Sequence, residues 1–303
     1  MRNVVAVAAA LGAAVVLSAG CAASSGGGAG SSLAAPTGGS EQARSGSSST
    51  PQPAQCTPST MQTRSSGKLT VATDSPAYEP WFEHNDPTNG KGFESAVAYA
   101  VAKQLGYNPS QVDWAKATFN SVISPAPKNY DFDINEVSIT PKRAQVVDFS
   151  SGYYDVAQAI VTLDNNKYAN ATSVAALKGA KLGAQQGTTS FDAINNVIKP
   201  SQSPAEYPTN NLAVQALKNG TIDGLVVDLP TGLYVTAAQV SHSKIVGQLP
   251  VTGKPEQFGL VLDHGSSLTS CVTQAVNKLR SNGTLDQLQK RWLTAHAGAP
   301  VLK

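Results

Sequence analysis

Two rhythms of apolar residues alternate along most of the chain. Leu69 to Thr73 (LTVAT) is a β-rich run closed by the turn residues Asp74-Ser75-Pro76. Phe93, Ala96, Val97, Ala100, Val101 and Leu105 then recur at helical spacing, with Gly106 where a C-cap belongs. The same reading predicts strands over 132–137, 157–163, 181–184, 224–227 and 258–262, and helices over 212–217, 268–279 and 284–292. A further helix is expected after Gln185-Gln186-Gly187-Thr188-Thr189. Strands alternating with helices define an α/β chain with largely parallel sheets. Periodicity leaves open whether there is one sheet or two.

The first sixty residues follow neither rhythm. Arg2 precedes an unbroken apolar or small stretch from Val4 to Leu17, short of the roughly 20 residues a membrane-spanning helix needs. Residues 1–20 therefore read as an export signal. Small residues stand directly before Cys21, which resembles a bacterial lipobox with Cys21 as the acylated residue. Leu17 lies one place further from the Cys than usual, with Ser18 in its stead. An ordinary cleaved signal and an uncleaved anchor are the other readings. Residues 21–60 are dominated by Gly, Ser, Ala, Thr, Pro and Gln. Such a segment buries too little surface to offset its ordering entropy, so a flexible tether is expected.

Composition narrows the partners. The 303 residues carry a formal net charge of +2 with 14% charged residues, and no long basic run is present. A nucleic-acid partner is therefore not expected. Cys56 and Cys271 are the cysteines left after Cys21. In an exported chain they are most simply a disulfide, with two free thiols as the alternative. His84, His242, His264 and His296 show no metal-ligand spacing, and neither a metal nor a cofactor is expected.

Candidate chemistry gathers around Arg143, in the run Ser138-Ile139-Thr140-Pro141-Lys142-Arg143. A guanidinium offers a fork of N–H donors that matches a carboxylate. Taken alone, Arg143 also fits a surface position at a helix start, and Ser138 and Thr140 also fit turn and cap roles. Thr188 and Thr189 follow Gly187 just before a helix, a place suited to an anion or to a plain N-cap. Asp228 follows the apolar strand 224–227, where ligands collect in open α/β folds. A solvated turn before Pro230 is its alternative. Tyr78, Trp81 and Phe119, with Asp74 nearby, are candidates for an apolar wall or for ordinary core.

Five stretches in order carry a family resemblance: Gly92-Phe93-Glu94; Ile139 to Arg143 with Asp148-Phe149-Ser150 and Tyr153; Leu177-Lys178-Gly179 with Gln186 to Thr189; Ala216 to Gly220 with Asp223 and Asp228; and Gly283-Thr284-Leu285 with Arg291-Trp292-Leu293. From about Lys68 to Leu293 the chain resembles bacterial solute-binding protein family 3, the substrate-binding lipoproteins of polar amino-acid ABC transporters. The chain departs from the family pattern at Ala96, where an acidic residue is usual, and at Glu136, where a small hydroxyl is common.

The resemblance implies a two-lobed periplasmic-binding-protein fold of type II with two hinge strands. Lobe 1 is expected over 61–157 and 256–303, and lobe 2 over 158–255. It implies that Arg143 and Ser138 grip a ligand α-carboxylate from lobe 1, Thr188 and Thr189 grip it from lobe 2, and Asp228 faces the α-ammonium. Tyr78, Trp81 and Phe119 would form the side-chain wall. Asp74 and Glu136 are then surplus carboxylates at the side-chain end, which a cationic side chain would balance. The expected partners are a polar amino acid, with basic ones among the candidates, and the permease subunits of an ABC transporter. The protein is expected to be a monomer, held on the outer face of the cytoplasmic membrane through acylated Cys21. The rival is an enzyme on the same fold, such as a cyclohexadienyl-type dehydratase. No paired acid–base or nucleophilic constellation supports it.

Overall fold

A computed structural model of the protein describes residues 56–251, 253–293 and 299–303. The expected export signal, Cys21 and most of the tether lie outside the described residues, as does His296. The folded body includes residues before the expected lobe 1 boundary at 61. The Sγ atoms of Cys56 and Cys271 are bonded at 2.09 Å, and Thr60 and Met61 donate backbone N–H bonds of 3.0 Å to Thr57 O. Residues 56–60 therefore belong to the folded body and not to the tether.

The chain opens with β1 (Leu69–Thr73), α1 (Phe93–Gln104), β2 (Val112–Lys116), α2 (Phe119–Val122), β3 (Phe132–Asp133) and β4 (Val147–Phe149). Gly92 starts α1 at φ +87°, and a Cβ there would lie 2.4 Å from Trp81 O, so both conformation and space demand glycine. Buried Phe93, Val97, Ala98 and Val101 turn one face of α1 onto the sheet. After β5 (Tyr154–Val156) the chain enters lobe 2, with β6 (Gln158–Leu163), β7 (Leu182–Gln185), α3 (Thr189–Ala193), β8 (Ala205–Tyr207), α4 (Asn210–Lys218), β9 (Gly224–Asp228), α5 (Leu229–Tyr234) and β10 (Ser243–Gln248). It returns through β11 (Glu256–Phe258) to β12 (Val261–Asp263), α6 (Thr269–Ser281) and α7 (Thr284–Leu293).

Two five-stranded sheets result, in the orders β2-β1-β3-β12-β4 and β10-β6-β9-β7-β8. The antiparallel pair β5/β11 forms the double hinge between them, with Glu256 opposite Val156. The sheets are mixed, not largely parallel: β12 runs against β3 and β4, and β6 runs against β9 and β10. Both reversed strands are the ones entered directly from the hinge, without a crossover helix to restore direction.

Each lobe has its own core. Leu69, Val71, Trp81, Phe93, Phe132 and Phe258 lie in the first, and Ile160, Leu182, Ile194 and Val226 in the second. The chain end departs from the expected lobe boundary. α7 packs on lobe 1, but Val301 pairs in parallel with Gln248, and Leu302 is buried in the lobe 2 core. Leu302 seats over Gly247, where a Cβ would approach its side chain to 2.8 Å. Residues 299–303 thus extend the lobe 2 sheet beyond its edge strand β10.

Candidate functional site

The carboxyl ends of β1, β3, β7 and β9 converge between the lobes, as expected for ligand clefts in α/β sheets. The cavity there encloses about 70 Å³. That is well under the roughly 300–1,000 Å³ of pockets for drug-sized ligands, so the closed cleft suits a small solute that enters when the lobes part. Every residue expected at the ligand lines it except Trp81.

Arg143 is buried at 7% exposure. Its Nη1 donates to Ser138 O at 2.7 Å, its Nη2 to Gly187 O across the cleft at 2.9 Å, and the guanidinium lies 5.2 Å from the Phe119 ring centre. A guanidinium has five N–H donors, so donors remain for an anion. Burial pulls its pKa down, against the nearby charges of Glu256 and Asp228, and an arginine keeps its proton regardless.

The hydroxyls make their bonds within the protein, and for Thr188 the plain N-cap reading describes what is seen. Thr188 Oγ1 donates to Gln185 O at 2.7 Å and accepts from Phe191 N–H at 3.1 Å, which makes Thr188 the N-cap of α3. Ser138 Oγ and Thr189 Oγ1 (2.6 Å) both meet Glu256 Oε1. In this arrangement all three hydroxyl protons are committed within the protein, which leaves the guanidinium as the side-chain donor for a ligand carboxylate.

The acidic side is crowded. Asp228 ends β9, half-buried, and accepts from Gln158 Nε2 at 2.7 Å. Burial pushes its pKa well above the usual carboxylate range, and the charges of Glu256 and Glu136 push the same way. Glu136 stands at φ +51°, a left-handed conformation costly for a residue with a Cβ. Its N–H donates 2.7 Å to Glu94 Oε1, which ends β3 early and turns the Glu136 side chain into the cleft. Tyr153 O–H donates to the same oxygen. Burial raises Glu136 to about 8, with the charge of Glu94 adding to the effect. Burial also raises Glu94 to about 7, against the hydrogen bonds from Tyr153 and Glu136. Behind them Asp133 is fully buried, and neither carboxylate oxygen has a partner. Asp74 sits nearer the mouth, its oxygens accepting from Ser75 N–H (2.6 Å) and Phe119 N–H (3.1 Å).

Trp81 is core, not wall. It is fully buried against the rings of Phe93, Tyr154 and Phe258, with centroids 5.5–5.9 Å away. It acts one step back: its indole N–H donates to Thr231 Oγ1 (3.0 Å), which donates across the cleft to Glu136 Oε2 (2.6 Å). Sequence reasoning missed Thr231, Gln158 and Glu256. Gln158 and Glu256 open β6 and β11 beside the hinge and Thr231 lies in the first turn of α5, and no local pattern marks any of them as facing the cleft.

A two-lobed type II binding protein with a small polar cleft at its hinge is what fold and site define. The family model of bacterial extracellular solute-binding proteins, family 3, matches residues 69–295, and the chain belongs to that family. The ABC transporter glutamine-binding protein GlnH of Bacillus subtilis (strain 168) is 28% identical over 217 residues, 70% of this chain and 77% of that protein. The arginine-binding extracellular protein ArtP of the same organism is 27% identical over 244 residues, 79% and 91% of the two chains. Among solved structures, an ancestral arginine-binding protein bound to arginine is 30% identical with a TM-score of 0.61, covering 75% of this chain and 98% of that one. An ancestral arginine-binding protein bound to glutamine is likewise 30% identical with a TM-score of 0.61, covering 75% of this chain and 97% of that one.

Proposed function

We propose that the protein captures a free amino acid with a cationic side chain outside the cytoplasm and hands it, unreacted, to the permease of an ABC transporter. The observation that carries the ligand class is charge. Asp74, Glu136 and Asp228 line one small cleft against the single guanidinium of Arg143. A zwitterion pairs with Arg143 and Asp228, and a cationic side chain balances Asp74 and Glu136. Buried charge without a partner is costly, so a neutral or acidic side chain fits less well. Relatives named for arginine binding support the same choice, and those named for glutamine define its nearest competitor. Titration calorimetry with L-arginine, L-lysine, L-histidine, L-glutamine and L-glutamate tests it. Binding of a cationic member at least tenfold tighter than glutamine is expected, and tight glutamate binding with no cationic binding overturns it.

The setting follows from the same reading. Acylated Cys21 anchors a monomer at the membrane surface, and the Cys56–Cys271 disulfide forms in the oxidising compartment outside. The cleft holds its ligand without chemistry, in keeping with relatives named as glutamine-binding and arginine-binding proteins. Prephenate or arogenate incubated with the protein is expected to remain unchanged.

A further inference from the structure

We infer that Glu256, on hinge strand β11, is a positioning residue that ties the two lobes together in the closed cleft and so sets how long the ligand is held. The ligand part of this inference rests on the proposed function; the tie itself is a property of the protein without ligand. Glu256 Oε1 receives the Ser138 hydroxyl from lobe 1 and the Thr189 hydroxyl from lobe 2, at 2.6 Å for the latter. These two hydroxyls lie 3.3 Å apart. The other oxygen, Oε2, takes Gln158 Nε2 at 3.2 Å, and the same amide nitrogen holds Asp228 Oδ1 at 2.7 Å. Gln158 Oε1 in turn accepts from Ser190 Oγ at 2.6 Å. One hinge carboxylate thus fixes a residue of each lobe and, through one amide, the carboxylate assigned to the ligand ammonium.

The charge of Glu256 is what makes the network consistent. An ionised carboxylate only accepts, and a hydroxyl has one proton. Both hydroxyls therefore aim their protons at Glu256, and Thr189 Oγ1 also accepts from Gln158 Nε2 at 3.4 Å. An amide at position 256 weakens this: it carries no charge, and its NH₂ must face either the two hydroxyls, which then have to accept and re-aim their own protons, or the Gln158 NH₂, donor against donor. The two arms also differ in what opening does to them. Ser138 is bridged to Phe258, and Ile139 N–H donates to Gln257 O at 2.8 Å, so the lobe 1 arm travels with β11. Thr189 starts α3 in lobe 2 and has no such backbone link to the hinge strand, so opening breaks that arm.

The test uses the full chain with spin labels at two exposed helix positions, introduced by Lys103→Cys in lobe 1 and Lys218→Cys in lobe 2. Electron–electron double resonance reads the interlobe distance without amino acid, and stopped flow reads L-arginine dissociation. Glu256→Gln is expected to move the distance distribution of the unliganded protein to longer values. It is also expected to accelerate L-arginine release about tenfold, the size of one hydrogen bond to a charged group. The association rate should change far less. Thr189→Ala should reproduce the opening, and the double variant should open no further than either single one, since all three remove the same tie. An interlobe distribution in Glu256→Gln identical to that of the parent overturns the inference. If Glu256→Gln does not fold, an unchanged distribution in Thr189→Ala overturns it instead. If the parent binds none of L-arginine, L-lysine and L-histidine, the ligand reading falls, and the distance measurement still decides the role of Glu256.

Discussion

Arg143 and Glu136 set the chemistry of the cleft from opposite ends. Truncating one partner of a buried charge pair commonly costs about 2–5 kcal/mol of binding. Arg143→Ala should therefore weaken amino-acid binding by at least thirtyfold by calorimetry, while the circular dichroism spectrum stays that of the folded protein. Glu136 is held near a pKa of about 8 by burial. A cationic side chain beside it favours the ionised form, so binding below that pKa expels a proton. Affinity for L-arginine is predicted to rise between pH 6 and pH 8, with proton release visible as a dependence of binding heat on buffer ionisation. Glu136→Gln should flatten that pH dependence and narrow the preference for arginine over glutamine about tenfold. A steep profile surviving in Glu136→Gln would assign the proton elsewhere. At this scale the charged ends of the site were legible because Arg143, Asp228 and Glu136 stand in recognisable runs. The hydroxyl directions were not: Ser138 and Thr189 point at Glu256, more than sixty residues beyond Thr189 and invisible to any local pattern.

At the scale of elements, long periodic segments were readable and short ones were not. α1, α4, α6 and α7 follow helical spacing closely, and β1 and β9 are apolar runs bounded by turn residues. The strand expected over 132–137 shrinks to β3, because Glu94 captures the Glu136 N–H and turns the backbone away. The one expected over 258–262 splits into β11 and β12, a hinge strand and a sheet strand separated by Gly259 and Leu260. β2, β8 and β10 carry too many polar residues at their sheet edges or rims to stand out from loop. The start of α1 gives a sharp test of local necessity. Gly92→Ala forces a Cβ against Trp81 O at positive φ, and should lower stability by about 1–3 kcal/mol in urea unfolding. The C-terminal segment gives another. Leu302→Ala should cost about 2–5 kcal/mol by emptying a site in the lobe 2 core. A stability loss within error of zero would mean that residues 299–303 do not dock there.

For the whole molecule, the buried carboxylates impose a pH signature on folding. Glu94 and Glu136 reach about 7 and about 8 in the folded protein against a usual value of 4.5, and Asp133 and Asp228 are pushed up as well. Between the ordinary and the raised values the folded state holds protons that the unfolded chain has shed. Stability therefore falls as pH rises through that window. The unliganded protein should melt at a higher temperature at pH 6 than at pH 8.5, and a cationic amino acid should recover most of the difference. The cleft thus stores an imbalance of negative charge that its ligand relieves. The most direct measurement of that claim is the melting temperature of the protein with each of the common amino acids in turn, since a solute bound only by the folded state raises it. The account predicts a rise of several degrees with L-arginine or another cationic amino acid, absent in Arg143→Ala. A protein whose melting temperature is indifferent to every amino acid, or rises only with L-glutamate, would contradict it.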